Sequence, residues 1–230
     1  MGRETAASST GRVALVAGAT GLVGAACLRR LAATPAYSRI VALARRPLES
    51  PPSGVEARIV DFDRIDTVAD LHADAAFCAL GTTLAAAGSQ EAFRRVDYGY
   101  TTGFARLARR AGAARFLVVS SVGASAASGN FYLRTKGEVE DALRELGFET
   151  LVVVRPGLLL GGRAESRPVE GVARAAAPVF NLILRGSFRR YRAIGAADVA
   201  ASLVGAALHC GPGVHVLEYD EIVLMSARAP

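Results

Sequence analysis

Short runs of β-branched and aliphatic residues recur along the chain, with longer amphipathic stretches between them. VALVA (13–17), RIVALA (39–44), EARIV (56–60), AAFCAL (75–80), RFLVVSS (115–121) and TLVVVRPG (150–157) read as strands. Most are apolar at nearly every position, the pattern of a strand covered on both faces. Helical stretches fall between them: one follows the first run to about residue 33, and another starts near Tyr132. Gly and Pro mark the turns. This alternation predicts an α/β fold, a doubly wound and mostly parallel sheet with helices on each side. A single domain is expected over residues 12–230, with a small C-terminal portion from about residue 158 that no linker sets apart. Residues 1–11, MGRETAASSTG, have no apolar anchor and read as a disordered tail.

Composition narrows the class. The apolar windows at 193–208 and 171–184 are broken by Asp198 and by Arg174 and Pro178, so no membrane span is expected, and the N-terminus lacks the apolar core of a signal peptide. Cys27, Cys78 and Cys210 are odd in number and widely spaced, as suits buried fillers in a reducing compartment. These readings together predict a cytoplasmic protein. His72, His209 and His215 show no metal-ligand spacing, and no metal is expected. The net charge of +6 implies an anionic partner. RGSFRRYR (185–192) mixes Arg with aromatics, yet the basic residues follow no nucleic-acid module, so nucleic acid is not the expected partner.

A smaller anion fits the first turn. In VALVAGATGLVGAACLRRL, the segment Gly18-Ala19-Thr20-Gly21-Leu22-Val23-Gly24 follows a strand and opens a helix. Gly18 permits the turn, Gly21 lets backbone approach a pyrophosphate, and Gly24 allows helix and strand to pack closely. The helix N-terminus offers unbonded N–H groups and a positive dipole to that pyrophosphate. A dinucleotide site is the reading. About 20 residues on, where an acidic residue would bond a ribose 2′-hydroxyl, stand Arg45 and Arg46. Two guanidinium groups there suit a 2′-phosphate and point to NADP(H). Asp61 and Phe62 at the end of the third strand are placed to meet the adenine.

FYLRTKG (131–137) contains Lys136, the single lysine among 27 Lys and Arg residues. Tyr132 lies four positions earlier, so both project from one helix face. A phenol is a poor base at neutral pH, and a neighbouring ammonium stabilises its phenolate. An ammonium is also a compact point charge, which a forked guanidinium cannot copy.

Together the glycine turn, SSVGA (120–124), Tyr132-x-x-x-Lys136 and RPG (155–157) resemble the short-chain dehydrogenase/reductase superfamily of Rossmann-type proteins. CALGTT (78–83), FRRVDY (93–98), NFYLRTKGEVE (130–140), RPGLLLGGRAESRP (155–168) and LEYDEI (217–222) are similar to an atypical branch, the Tat-interacting-protein-like oxidoreductases. The resemblance implies that Tyr132 exchanges a proton with a substrate carbonyl or alcohol, and that Lys136 holds the nicotinamide ribose. Ser121 would bond the substrate oxygen, with Ser120 as second choice. Thr20 to Val23 would meet the pyrophosphate, and Leu80 and Gly81 the adenosine side. Thr82, the run Arg155-Pro156-Gly157, Leu159 and Arg167 complete the implied cofactor set. The division implied is a cofactor part over 12–157 and a substrate-side part over 158–230. Asp97 departs from the superfamily pattern, standing where many relatives place an Asn that supports a relay water. The interval from Ser121 to Tyr132 is also short, at 11 residues.

The expected activity is hydride transfer between NADP(H) and a small carbonyl or alcohol. The alternative is an NADP(H)-binding sensor or regulatory protein that works through a protein partner. A nucleotide-sugar epimerase or dehydratase is weaker, because nothing after residue 158 supplies a sugar-nucleotide pocket. The sequence carries no readable code for the substrate or for oligomeric state.

Overall fold

A computed structural model describes residues 11–160, 184 and 186–230. Seven strands form one sheet, and every pairing in it is parallel. The first three are β1 (Arg12–Ala17), β2 (Tyr37–Ala44) and β3 (Val55–Ile59). The next three are β4 (Ala75–Cys78), β5 (Arg115–Val119) and β6 (Thr150–Val154). A pair of two-residue strands, β7 (Leu159–Leu160) and β8 (Ile194–Gly195), makes a separate small sheet. The last strand, β9 (Gly213–Leu217), returns to the main sheet beside β6. The order is β3-β2-β1-β4-β5-β6-β9, so the chain winds outward in two directions from the β1/β4 boundary.

The apolar runs form strands here because both sheet faces are covered. Along β1, Ala14 and Val16 enter one core while Leu15 and Ala17 enter the other, as the two-residue period of a strand requires. The first core is closed by α1 (Leu22–Ala32) and by a late helix, whose Leu28, Leu31, Val199 and Leu203 are buried together. Phe104 and Leu107 from α4 (Thr101–Arg110), with Val139 and Leu143 from α5 (Phe131–Glu145), close the second. Between β4 and α4 lie two short helices, α2 (Leu84–Ala87) and α3 (Gln90–Arg94). A π-helical turn over Arg95–Tyr100 then leads directly into α4. The six strands expected from the apolar runs are all present.

The described helices beyond residue 157 pack against the first core. The late helix, α6 (Ala196–His209), lies against α1, and α7 (Tyr219–Ala227) packs on α6 so tightly that a Cβ on Gly205 would overlap the Met225 carbonyl oxygen. A capping box between Glu218 and Glu221 starts α7. Cys27, Cys78 and Cys210 are buried and free, and burial pushes the Cys27 thiol up to about 12 and that of Cys78 to about 11. No helix among the described residues is long and apolar enough to cross a membrane. The expected tail lies outside the described residues apart from Gly11, whose carbonyl accepts from the Ser38 hydroxyl at 2.8 Å.

Leu203 is fully buried between α1 and the sheet, so its truncation leaves a cavity. Leu203→Ala is expected to destabilise the protein by about 2–5 kcal/mol. Urea unfolding measures this, and a loss below about 1 kcal/mol would show that α6 does not complete the core.

Candidate active site

The winding of the chain reverses between β1 and β4, and in such folds the strand carboxyl ends there open a crevice. The crevice in this chain is lined by Gly18 to Gly21 after β1, by Ala44 and Arg45 after β2, and by Ala79 to Gly81 after β4. Phe62, Val96 and Tyr100 close it. Gly18 has φ +87, in the left-handed region that favours glycine, and a Cβ there would strike the Ala79 backbone. A Cβ on Gly24 would overlap the Gly18 carbonyl oxygen, so this glycine lets α1 approach the turn. Gly21 caps α1 without a side-chain bond, and the helix has no acidic residue in its first turn. The amides of Leu22 and Val23 therefore begin a helix whose positive end is not neutralised locally. A backbone cradle of this kind suits a pyrophosphate.

The two arginines after β2 are both exposed but line different hollows. Arg45 lines the crevice, while Arg46 lines an adjoining hollow with Arg29 and the segment Pro47–Pro52. The two hollows share Ala19 and Thr20, so the two arginines line adjoining spaces at the glycine turn. Phe62 lines the crevice and is otherwise buried, with its ring 5.5 Å from that of Tyr100. Asp61 is not part of the lining. Its carboxylate accepts from the Asp63 amide at 2.9 Å and so caps the 3-10 turn that follows β3.

On the other side of β4 the catalytic candidates come together. Asn130 caps α5, accepting from the Leu133 amide at 3.1 Å, and this sets Tyr132 in the first turn and Lys136 one turn later. The Tyr132 ring leans on Phe93 of α3 at 5.5 Å. Lys136 is buried, with its Nζ 2.6 Å from Oδ1 of Asp97. Burial opposes its charge, but the carboxylate of Asp97 and then Tyr132 outweigh that, holding the ammonium above its ordinary value. Gly81 sits against this pair: a Cβ there would lie 3.5 Å from Asp97 and 3.7 Å from Nζ. The Thr82 amide donates to the other oxygen of Asp97 at 2.9 Å.

The two serines after β5 differ. Ser120 is buried and donates to Oε1 of Glu140 at 2.6 Å, whereas the Ser121 hydroxyl makes only a 3.4 Å contact with the Val122 carbonyl. Glu140 continues the stripe of Tyr132 and Lys136 along α5, one turn further on. It is almost wholly buried and also accepts from Arg155 at 2.9 and 2.5 Å. The partly buried Arg155 guanidinium is thus bound by a carboxylate of the protein itself. The Pro156 carbonyl accepts from the Val122 amide, and Gly157 packs so closely on the 191–192 backbone that a Cβ would clash. Leu159 is exposed in β7, and Arg167 lies outside the described residues.

Sequence reasoning assigned no role to Glu140 or Val96, and it treated Asp97 only as a departure. The i, i+4, i+8 spacing of Tyr132, Lys136 and Glu140 was the available signal for Glu140. The π turn that buries Asp97 has no such signal, since it appears only as FRRVDY in a helical stretch.

A glycine-turn crevice beside a Tyr-Lys helix defines an α/β dinucleotide-binding site, and comparison with known proteins gives the family. The NAD(P)H-binding family profile matches residues 18–208. Protein fmp52, mitochondrial, from Emericella nidulans is 39% identical over 203 residues, covering 83% of this chain and 87% of that one. Protein HTATIP2 from Rattus norvegicus is 40% identical over 164 residues, covering 69% and 67%. The fold is similar to that of the human epimerase family protein SDR39U1 solved with NADPH, at TM-score 0.62 and 23% identity over 89% of this chain and 72% of that one. MoeE5 in complex with UDP-glucose and NAD matches at TM-score 0.66 and 18% identity, over 93% and 80%. The chain belongs to the NAD(P)H-binding family, in the Tat-interacting-protein-like branch of the atypical short-chain dehydrogenase/reductases.

The fungal relatives correct one expectation. Fmp52 proteins from several fungi are named as mitochondrial, which overturns the cytoplasmic placement read from the sequence. That placement rested on scattered cysteines and on missing signal and membrane segments, features that do not distinguish the cytosol from an organelle interior.

Removing Glu140 would leave Arg155 partly buried without its carboxylate and Ser120 without an acceptor. Glu140→Ala is expected to cost about 3–5 kcal/mol. Thermal and urea unfolding give the value, and a cost under about 1 kcal/mol would mean that the network does not tie β5, α5 and β6 together.

Proposed function

We propose that the protein is an NADPH-dependent oxidoreductase acting on a small carbonyl or alcohol, with Tyr132 as general acid and base. The observation that carries this reading is that α5 presents Tyr132 and a buried, charged Lys136 at the β4 and β5 carboxyl ends, beside the glycine-turn crevice. The NAD(P)H-binding family and a fold neighbour solved with NADPH support it.

The cradle fits a dinucleotide. Thr20 to Val23 would receive the pyrophosphate, Leu80, Gly81 and Phe62 would line the adenosine side, and Arg45 with Arg46 would approach a 2′-phosphate from two sides. When bound, the nicotinamide supplies or accepts the hydride. Tyr132 gives its phenolic proton to the substrate oxygen as an alcohol forms, or removes it in reverse. Ser121, whose hydroxyl has no strong internal partner, donates to that oxygen as charge develops. Ser120 is held by Glu140 and supports the loop from within. Lys136 contributes a fixed charge near the phenol and donors for a ribose.

If the two arginines read a 2′-phosphate, NADPH binds more tightly than NADH by about 2 kcal/mol or more, given charge-assisted bonds of 1.5–3 kcal/mol. Changing both Arg45 and Arg46 to Ala removes most of the gap in fluorescence titrations. Equal affinity for the two nucleotides in the unaltered protein would refute the NADPH preference.

Turnover is tested with NADPH and a panel of aldehydes, ketones and quinones. On any substrate found, Tyr132→Phe is expected to lower the rate by about 10²–10⁴ while keeping cofactor affinity. Lys136→Arg is expected to weaken both, because the guanidinium cannot occupy the ammonium's place. Tight NADPH binding with no turnover on the panel would favour the sensor over the enzyme.

A further inference from the structure

Asp97 is the most deeply buried acid near the site, with a side chain that has no exposed surface, and its two oxygens have different duties. Oδ2 accepts the Thr82 amide at 2.9 Å, and Oδ1 lies 2.6 Å from the Lys136 ammonium. Thr82 belongs to the loop after β4 whose neighbours Leu80 and Gly81 line the crevice, while Lys136 belongs to the α5 face that carries Tyr132. The side chain reaches both because the π turn over Arg95–Tyr100 points it inward. Gly81, with no side chain, leaves room for the contact.

We propose that Asp97 is the positioning residue of this site, a carboxylate that pins the adenosine-side loop and the Lys136 ammonium to one another. The proposal rests on the reading above for what Lys136 and Tyr132 do, but the contact it assigns is independent of any ligand. A buried ammonium without a partner is strongly disfavoured, so removing the charge of Asp97 must either move Lys136 or deprotonate it. The other titratable groups facing the ammonium are Tyr132 on its own helix and Cys78 on β4, whose thiol is pushed up to about 11 and is neutral at neutral pH. With Asp97 in place, Lys136 keeps its proton and acts as a charge of fixed position. The same geometry accounts for the lone lysine, because a forked guanidinium could not fit between Gly81 and a carboxylate already bound to the Thr82 amide.

The composition supplies the test. Lys136 is the only lysine, so isotope labelling of lysine gives a single side-chain amine signal, and its NMR titration needs neither cofactor nor substrate. In the unaltered protein more than half of Lys136 is expected to remain protonated at pH 10.5, its ordinary midpoint. Asp97→Asn keeps an acceptor for the Thr82 amide and removes the charge. It is expected to lower the midpoint by about one pH unit or more, a tenfold loss of proton affinity. A role confined to holding the loop predicts no shift. Less than half protonation at pH 10.5 in the unaltered protein overturns the proposal, even if the variant fails to fold. A variant midpoint within about 0.3 unit of the original also overturns it. A parallel NADPH titration separates the two readings, since a protein that binds no NADPH defeats the proposed function while the lysine signal still decides the role of Asp97.

Discussion

A parallel sheet wound in two directions must leave a gap at its centre, and that gap governs the rest of this molecule. The connections leaving β1 and β4 run to opposite sides of the sheet, so no backbone closes the space between their carboxyl ends. Every group with evident chemistry is brought to that seam. The glycine turn borders it from β1, Arg45 from β2, and Leu80 to Thr82 from β4. The serines after β5 and the α5 stripe bound the far side. The two cores, one on each face, hold the strand ends in register without contributing to the chemistry.

The polar groups that set the far side are few and strongly interlinked. Along α5, Tyr132, Lys136 and Glu140 form one stripe, and each successive member is bound more completely by the protein. Tyr132 is partly exposed and rests on Phe93. Lys136 is buried and paired with Asp97, while Glu140 is nearly inaccessible and joins Ser120 to Arg155. A stripe graded in this way leaves a phenol at its open end and paired charges behind it. Breaking either ion pair would leave an uncompensated charge in the interior, which makes the arrangement rigid.

Legibility in the sequence followed the range of the interactions involved. Strands buried on both faces announce themselves as apolar runs, and five of the six readable strands were legible for that reason, the exception being the half-exposed edge strand β3. The glycine turn was equally plain, because Gly18, Gly21 and Gly24 stand at fixed spacing within seven residues, although the backbone that Gly18 must clear is that of Ala79, far along the chain. By contrast β9, with its polar His215 and exposed Val214 and Val216, is an edge strand that lacks the apolar signature. Contacts between distant segments were harder still. Nothing in RPG shows that Arg155 is engaged by a carboxylate on α5, and nothing in FRRVDY shows a π turn pointing Asp97 at Lys136. Arg45 and Arg46 read as one clamp in the sequence, yet adjacent side chains diverge, and the fold sets them in neighbouring hollows. Asp61 reads as an adenine partner, but its own turn claims it. Cellular address was not legible because burial and charge carry no destination.

The near-exclusive use of arginine has an effect on the molecule's surface that extends beyond the site. Lysine-rich proteins discharge as the medium becomes alkaline, but guanidinium groups keep their protons past pH 12. Here the one lysine lies inside, and two of the three thiols are pushed up to about 11 and 12. The arginine charges, which are all but one of the chain's Lys and Arg cations, therefore stay nearly constant as the medium becomes alkaline. Attraction of anions from a distance becomes a property that ionic strength can tune and alkalinity can hardly alter.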